Sequence, residues 1–120
     1  LEQKHSRIII VTSGSQIIID QIISSLEGLI QVHKVIDLTS KNSTDERELA
    51  MIKISLKKGK LNDIKNIAKK YKAKLIFESL KNLAFEITDS PDNINAFIAK
   101  LNVLGKIDVS RTGLIAITKD

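Results

Sequence analysis

A ten-residue stretch from Arg47 to Leu56, RELAMIKISL, constrains the fold of this chain more than any other. Alternate residues of the stretch form an apolar row: Ala50, Ile52, Ile54 and Leu56. The opposite row is mixed: Leu49, Met51, Lys53 and Ser55. One apolar row and one mixed row are typical of a strand in a sheet with a single covered face. A polar run over 39–46 precedes the stretch, so we predict that a domain begins here.

The rest of the chain after this strand carries the pattern of a complete small domain. The predicted elements are, in order, strand 47–56, helix 61–71, strand 74–79, strand 83–88, a helix from Ser90 to Gly105, and an extended segment 107–118 interrupted at 111–113. The second helix has the clearest start, since a serine cap, a proline in the first turn and an acid follow one another in Ser90-Pro91-Asp92. This order, β-α-β-β-α-β, predicts an α+β, ferredoxin-like domain over 47–120.

The first 40 residues carry half of the same plan. Arg7–Thr12 is a β-branched run that ends at Ser13-Gly14, and Val32–Leu38 alternates, so both are predicted strands. Between them, Ser15 is a helix cap and apolar residues follow at helical spacing. We therefore predict β-α-β over 1–40, a linker over 41–46, and one and a half copies of the plan in all.

Residues suited to catalysis are few. Cysteine is absent, which excludes disulfides and thiolate chemistry, and the two histidines, His5 and His33, have no second ligand at metal spacing. Glu46 and Glu48 flank Arg47, so the two acids share one strand face, and we interpret them as a solvated strand entrance. We predict no catalytic, cofactor-binding or metal-binding residue on this chain.

The net charge of +5 is unevenly distributed, with the basic excess between Lys57 and Lys81. A positive patch can mean nucleic acid or an acidic partner. A ferredoxin-like sheet that binds RNA stacks bases on aromatic side chains, and aromatics are only 3% here. A free-standing RNA- or ligand-binding module is the alternative function, and the scarcity of aromatic residues argues against the RNA-binding form of it. No apolar run approaches the length of a membrane span, and no signal-peptide pattern opens the chain. We expect a cytoplasmic protein that binds no membrane. Because aromatic residues are scarce, we also expect it to bind no nucleic acid.

Several segments in this order resemble the small regulatory subunit family of acetolactate synthase, also called acetohydroxyacid synthase. They are Ser6-Arg7 with its isoleucine strand, Gln21-Ile22, 29–32, RELAMIKISL, 85–88, 96–98 and, most specific, 105–116. The smaller departures affect surface and turn details: Ser25, Gly28, Asp89 and Lys119-Asp120. The large departure is at the beginning of the chain. The family's first β-α-β unit, with the loop that holds its effector amino acid, has no counterpart in this chain.

This resemblance implies an ACT-type fold, with residues 1–40 as the C-terminal half of an ACT domain. It implies a non-catalytic subunit that activates a large catalytic subunit and mediates feedback inhibition by valine in branched-chain amino acid biosynthesis. Thiamine diphosphate, Mg²⁺ and FAD are then expected on the large subunit, and a homodimer is expected for this one. The effector-binding residues stay unknown, because the matching loop is absent.

Five residues are candidates for an interface or a structural role: Arg47, Glu48, Arg111, Thr112 and Gly113. An arginine in a closing strand is usually exposed, yet we expect Arg111, Thr112 and Gly113 to shape a contact surface or a fixed bulge.

The beginning of the chain raises a separate expectation. The only methionine is Met51, so Leu1 is not a translation start. Half of an interleaved sheet leaves strand edges open, so residues 1–40 are expected to join a second copy or to be disordered. Valine is expected not to bind this species at millimolar concentration.

Overall fold

The computed structural model describes residues 6–32, 34–38 and 44–119. Its packing divides the chain into an N-terminal unit, Leu1–Asp45 with Ile117–Asp120, and a C-terminal unit, Glu46–Ala116. The elements are, in order, α1 (Gln16–Glu27), β1 (Thr44–Ser55), α2 (Leu61–Lys70), β2 (Lys74–Glu78), β3 (Asn82–Asp89), α3 (Pro91–Asn102), β4 (Ile107–Arg111) and β5 (Ile115–Thr118).

The C-terminal unit has the predicted β-α-β-β-α-β order. Its strands lie in the order β2-β3-β1-β4, and β1 pairs antiparallel with both β3 and β4. Ile52 of β1 lies between Phe85 of β3 and Val109 of β4. β5 also pairs with β1, and its last residues belong to the N-terminal unit. The ferredoxin-like prediction is therefore confirmed for this part of the chain.

The core of the C-terminal unit lies on the face of the sheet that carries the apolar row of β1. Ala50, Ile52 and Ile54 are fully buried, whereas Met51 on the opposite face is 48% exposed. The two helices contribute Ile64, Ala68, Ile94, Phe97 and Leu101 to the same cluster. Both helices pack their apolar stripes against the face of the sheet that carries the apolar row of β1. The opposite face is therefore left uncovered by α2 and α3.

The start of α3 follows the predicted chemistry. The hydroxyl of Ser90 accepts a hydrogen bond from the backbone N–H of Asn93 at 3.3 Å, and Pro91 is the first helical residue. Asp89 holds the capping residues in place, since its carboxylate accepts from the N–H of Ser90 at 2.7 Å and from the side-chain amide of Asn93 at 2.9 Å. The Asn93 amide, followed by the Ser90 N–H, holds the pKa of Asp89 below its usual value.

Gly105 has a different role from the predicted one. We interpreted it as the residue that ends α3, but the helix ends at Asn102 with Val103 as its cap. A Cβ atom at Gly105 would lie 2.5 Å from the carbonyl oxygen of Ser55. The glycine is therefore required by the close approach of two backbones, which no local pattern in the sequence reveals.

The β2–β3 connection is a tight hairpin. The N–H of Ser79 donates to the carbonyl of Asn82 at 2.8 Å, and Asn82 is already the first residue of β3. The register shifts between Leu75 and Phe77, so β2 contains an irregularity that the sequence pattern did not predict. β2 is an edge strand with every residue exposed.

In the N-terminal unit the predicted helix is confirmed and the two predicted strands are not. The Ser15 hydroxyl caps α1 by accepting from the N–H of Ile18 at 3.4 Å. Arg7–Thr12 and the described part of Val32–Leu38 belong to no sheet. A strand exists only through hydrogen bonds to another strand, and the described residues supply no strand beside either range. Strand propensity in these residues is therefore not sufficient to make a strand.

The predicted linker over 41–46 overlaps the first strand of the structure. β1 begins at Thr44, so residues 44–46 are already part of a strand, and 41–43 lie outside the described residues. Our reading relied on the polarity of the run, but polar side chains can occupy the end of a strand where it projects from the core.

Candidate functional site

The end of the sheet nearest the start of β1 carries a bidentate ion pair. Ala50 of β1 lies opposite Arg111, the last residue of β4, so Glu48 and Arg111 are diagonal neighbours on the helix-covered face. The Arg111 Nε donates to one carboxylate oxygen of Glu48 and Nη2 donates to the other, both at 2.8 Å. The small side chain of Ala50 leaves the arginine room to lie across the strand.

Two further contacts fix the pair. Arg111 Nη1 donates to the side-chain oxygen of Asn95 on α3 at 2.6 Å, so the guanidinium joins both strands and a helix. The side chain of Glu48 is 6% exposed and that of Arg111 is 31% exposed. The carboxylate is therefore inside the unit, and the cation that neutralises it lies at the boundary with solvent.

The chain just after Arg111 extends this arrangement. The N–H of Thr112 donates to the carbonyl of Leu49 at 3.0 Å, and the Leu49 N–H donates to the Thr112 hydroxyl at 3.1 Å. The threonine side chain thus replaces a backbone acceptor where the ladder ends. Gly113 has φ of +89°, a conformation that a residue with a Cβ atom rarely adopts. β4 ends at Arg111, so the expectation that 111–113 shape a contact surface or a fixed bulge stays a prediction.

The electrostatics follow from these contacts. Hydrogen bonds and charge from Arg111, with a smaller contribution from the backbone N–H of Gly113, hold the pKa of Glu48 below its usual value despite burial, which alone would raise it. The same pairing raises the pKa of Arg111. Glu48 is therefore an ionised structural group at neutral pH.

The site can join elements but has little capacity for proton transfer. Both oxygens of Glu48 are occupied by arginine, and the lowered pKa removes it from the range of a general acid or base near neutrality. Our prediction that Glu46 and Glu48 share one strand face is confirmed. The interpretation of Glu48 as part of a solvated strand entrance is wrong, because it did not include an arginine 63 positions away in the sequence.

The structure brings four of the five candidate residues together and leaves one apart. Arg47 lies exposed on the opposite face, where its Nη1 donates to the backbone carbonyl of Glu46 at 2.8 Å. Asn95 belongs to the site and was not predicted, because an asparagine on the outer part of a helix carries no distinguishing pattern. His5 and His33 lie outside the described residues.

The described residues do not form a metal centre, since they contain no cluster of three or more potential metal ligands. Phe85 and Phe97 face the core with their ring centroids 6.3 Å apart, and Tyr71 lies 5.4 Å from Phe97, so these rings are packed together. None of the described helices combines the length and apolar character that crossing a bilayer requires.

A family model described as "Small subunit of acetolactate synthase" matches residues 47–120, which include Glu48, Asn95 and Arg111. The chain belongs to the acetolactate synthase small-subunit family. The resemblance found in the sequence is thus confirmed.

Similar proteins agree with this membership. A protein of Archaeoglobus fulgidus named "Probable acetolactate synthase small subunit" is 30% identical over 95% of this chain and 70% of its own length. The acetolactate synthase small subunit of Aquifex aeolicus is 33% identical over 99% of this chain and 62% of its own length. The crystal structure of the acetolactate synthase small subunit from Thermotoga maritima superposes with a TM-score of 0.74 at 28% identity, over 89% of this chain and 66% of that one.

The chain is shorter than these relatives. It spans between about three fifths and seven tenths of the two prokaryotic proteins and 23% of a chloroplastic small subunit of Arabidopsis thaliana. The similarity therefore covers almost all of this chain and only a part of the proteins that it resembles.

Proposed function

We propose that this chain acts as a non-catalytic regulatory subunit that binds and activates the large catalytic subunit of acetolactate synthase. The observation that carries the proposal is the family match over 47–120, together with relatives that bear the small-subunit name across nearly the whole chain. A protein named as one subunit of an enzyme has the other subunit as its natural partner.

The chemistry of the described residues supports an accessory role. The most elaborate polar arrangement on the C-terminal unit is the Glu48–Arg111 pair, and its groups are engaged with each other and with Asn95. Following the family resemblance, we assign thiamine diphosphate, Mg²⁺ and FAD to the large subunit, together with the condensation of pyruvate to acetolactate.

Feedback inhibition by valine, or by a related branched-chain amino acid, is the second part of the proposal. A regulator that activates its partner can also transmit an inhibitor, provided that the inhibitor binds the activating and inactive states with different affinity. Such coupling requires two states of the complex. We expect the complex to be located in the cytoplasm, where amino acids are made.

The test reconstitutes the enzyme from its separate subunits. Acetolactate formation is measured for the large subunit alone, for this chain alone and for the mixture, each with and without valine. We expect turnover to rise in the mixture and to be absent with this chain alone. Because valine is expected not to bind this chain by itself, inhibition of the mixture by valine would require an effector site that forms only in the complex. Production of acetolactate by this chain alone, or a large subunit that neither binds nor responds to it, would overturn the proposal.

We also propose that the N-terminal unit mediates homodimerisation. α1 is amphipathic but contains no buried residue, and Ile8, Val11 and Ile30 are all more than three quarters exposed. Apolar surface on this scale is typical of an interface. Sedimentation equilibrium should give a dimer, and a monomer at high micromolar concentration would contradict this.

A further inference from the structure

The lysines of the C-terminal unit are concentrated in one part of the sequence. Residues 57–81 contain nine lysines and two acidic residues, Asp63 and Glu78, whereas the net charge of the whole chain is +5. The remainder of the chain is therefore slightly acidic. A lysine-rich helix face is often no more than a solvated surface. A binding surface requires that the fold bring lysines from separate segments together.

Three separate loops bring lysines to one end of the sheet. We define the basic pole as five exposed residues: Lys57, Lys58, Lys60, Lys81 and Lys106. The N–H of Leu56 donates to the carbonyl of Lys81 at 2.7 Å, and the N–H of Ser55 donates to the carbonyl of Lys106 at 2.9 Å. The β1–α2 loop, the β2–β3 hairpin and the α3–β4 loop thus meet around the end of β1.

Little negative charge compensates the basic pole. Asp63 lies in the first turn of α2, and Asp108 lies opposite Lys53 in the β1–β4 register. None of the five pole lysines forms an ion pair with another described residue, in contrast to Lys65, which lies 3.1 Å from Glu78. Clustered like charges repel one another, so such a cluster favours an acidic partner.

Two further features lie at the same end. Leu80, at the tip of the β2–β3 hairpin beside Lys81, is 97% exposed. A recess of about 480 Å³ opens on the uncovered face of the sheet and is lined by Lys53, Ser55, Asn82, Lys106, Ile107 and Asp108. An exposed leucine next to a lysine can supply the apolar contact of an interface whose rim is polar.

We propose that the basic pole is a docking surface for an acidic patch on the large catalytic subunit, a proposal that rests on the function proposed above. A protein partner explains both the charge and Leu80. A nucleic acid would call for aromatic side chains on which bases stack, and the segments 53–60, 79–82 and 105–108 contain none.

The test compares two variants with the same loss of charge. The pole variant neutralises one lysine in each of the three loops: Lys58→Gln, Lys81→Gln and Lys106→Gln. The control variant neutralises three exposed lysines toward the other end of α2 and the start of β2: Lys69→Gln, Lys70→Gln and Lys74→Gln. All six side chains are exposed, and thermal unfolding of each variant verifies that the fold is retained.

The readout is the concentration of this chain that gives half-maximal activation of the large subunit, at low and high salt. We expect the pole variant to raise that concentration about tenfold at low salt, the sum of three exposed charge contacts, and the control to change it less than about twofold. High salt should raise the concentration for half-maximal activation much more for the wild type than for the pole variant, because salt screens exposed charges.

The remaining outcomes separate this proposal from the one on which it rests. Activation by the pole variant equal to that of the wild type or of the control would overturn the docking surface while leaving the regulatory function in place. Failure of the wild type to bind the large subunit would overturn both. Binding of labelled single-stranded RNA that is lost in the pole variant would also overturn the proposal, since the pole would then recognise nucleic acid.

Discussion

Replacement of Arg111 by methionine is the sharpest test of the Glu48–Arg111 pair. Arg111→Met keeps most of the aliphatic length and removes the cation, together with two 2.8 Å hydrogen bonds to Glu48 and one to Asn95. Glu48 is 6% exposed, so its charge would stay inside the unit without its cation, with the hydrogen bond from the backbone N–H of Gly113 as its remaining contact. The cost comes mainly from this orphaned carboxylate.

The magnitude follows from the degree of burial. Removing one partner of a buried ion pair costs about 3–5 kcal/mol. Arg111 is 31% exposed, so water can reach part of the space that the guanidinium leaves. We therefore expect a loss of about 2–3 kcal/mol in the free energy of unfolding. With a urea m-value of about 1 kcal/mol/M for a small domain, the midpoint should fall by about 2–3 M.

Urea unfolding of the full chain, followed by far-UV circular dichroism at pH 7, measures this loss. Arg47→Met is the matched control, since Arg47 is exposed and, within the described residues, donates to the neighbouring Glu46 carbonyl, with a minor electrostatic effect on Asp89; it should cost less than about 0.5 kcal/mol. The double variant Glu48→Met/Arg111→Met removes both charges and should recover most of the loss. If Arg111→Met and Arg47→Met cost the same, the ion pair does not stabilise the unit and the reasoning is refuted.

Three further predictions follow from the same unit. Gly113→Val should destabilise by more than about 1 kcal/mol and lower the melting temperature by at least about 4 °C, because valine resists a φ of +89°; an unchanged melting temperature would mean that the glycine is incidental. Ser90→Ala should cost about 1 kcal/mol through loss of the α3 cap, measured by urea unfolding, and an unchanged urea midpoint would contradict this. The folded-state pKa of Glu48 is lowered, so its stabilisation is complete above the usual value of 4.5 and is lost as pH falls through the folded pKa; Glu48→Gln should therefore flatten the acid limb of stability against pH, and parallel limbs would contradict this.

Much of the C-terminal unit could be predicted from sequence because its signals are local. Alternation in β1 placed Ala50, Ile52, Ile54 and Leu56 on one face; the first three are fully buried and Leu56 is partly buried against the same core. The Ser90-Pro91 signal placed the start of α3 at the correct residue. Periodicity predicts these elements because one face of the sheet and one stripe of each helix are buried. Every second residue of a strand, and every third or fourth residue of a helix, therefore lies in the same core.

The N-terminal unit shows where local signals stop. Ser15 and the helical spacing predicted α1, because a helix satisfies its hydrogen bonds within itself. The β-branched run Arg7–Thr12 has the propensity of a strand and forms none, since a strand depends on residues elsewhere to complete its ladder. Propensity describes what a segment can become, and pairing decides whether it does.

Which residues pair in the candidate site, and which lysines meet in the basic pole, was decided by the tertiary structure. Glu48 and Arg111 are 63 positions apart, and only the β1–β4 register makes them diagonal neighbours with Asn95 above them. The five pole lysines come from three loops that meet at the end of β1. The sequence by itself determined which residues are charged and which are apolar, and hence the class of fold. The antiparallel order of the sheet determined which charges meet, because strand pairing sets distances that sequence separation does not contain.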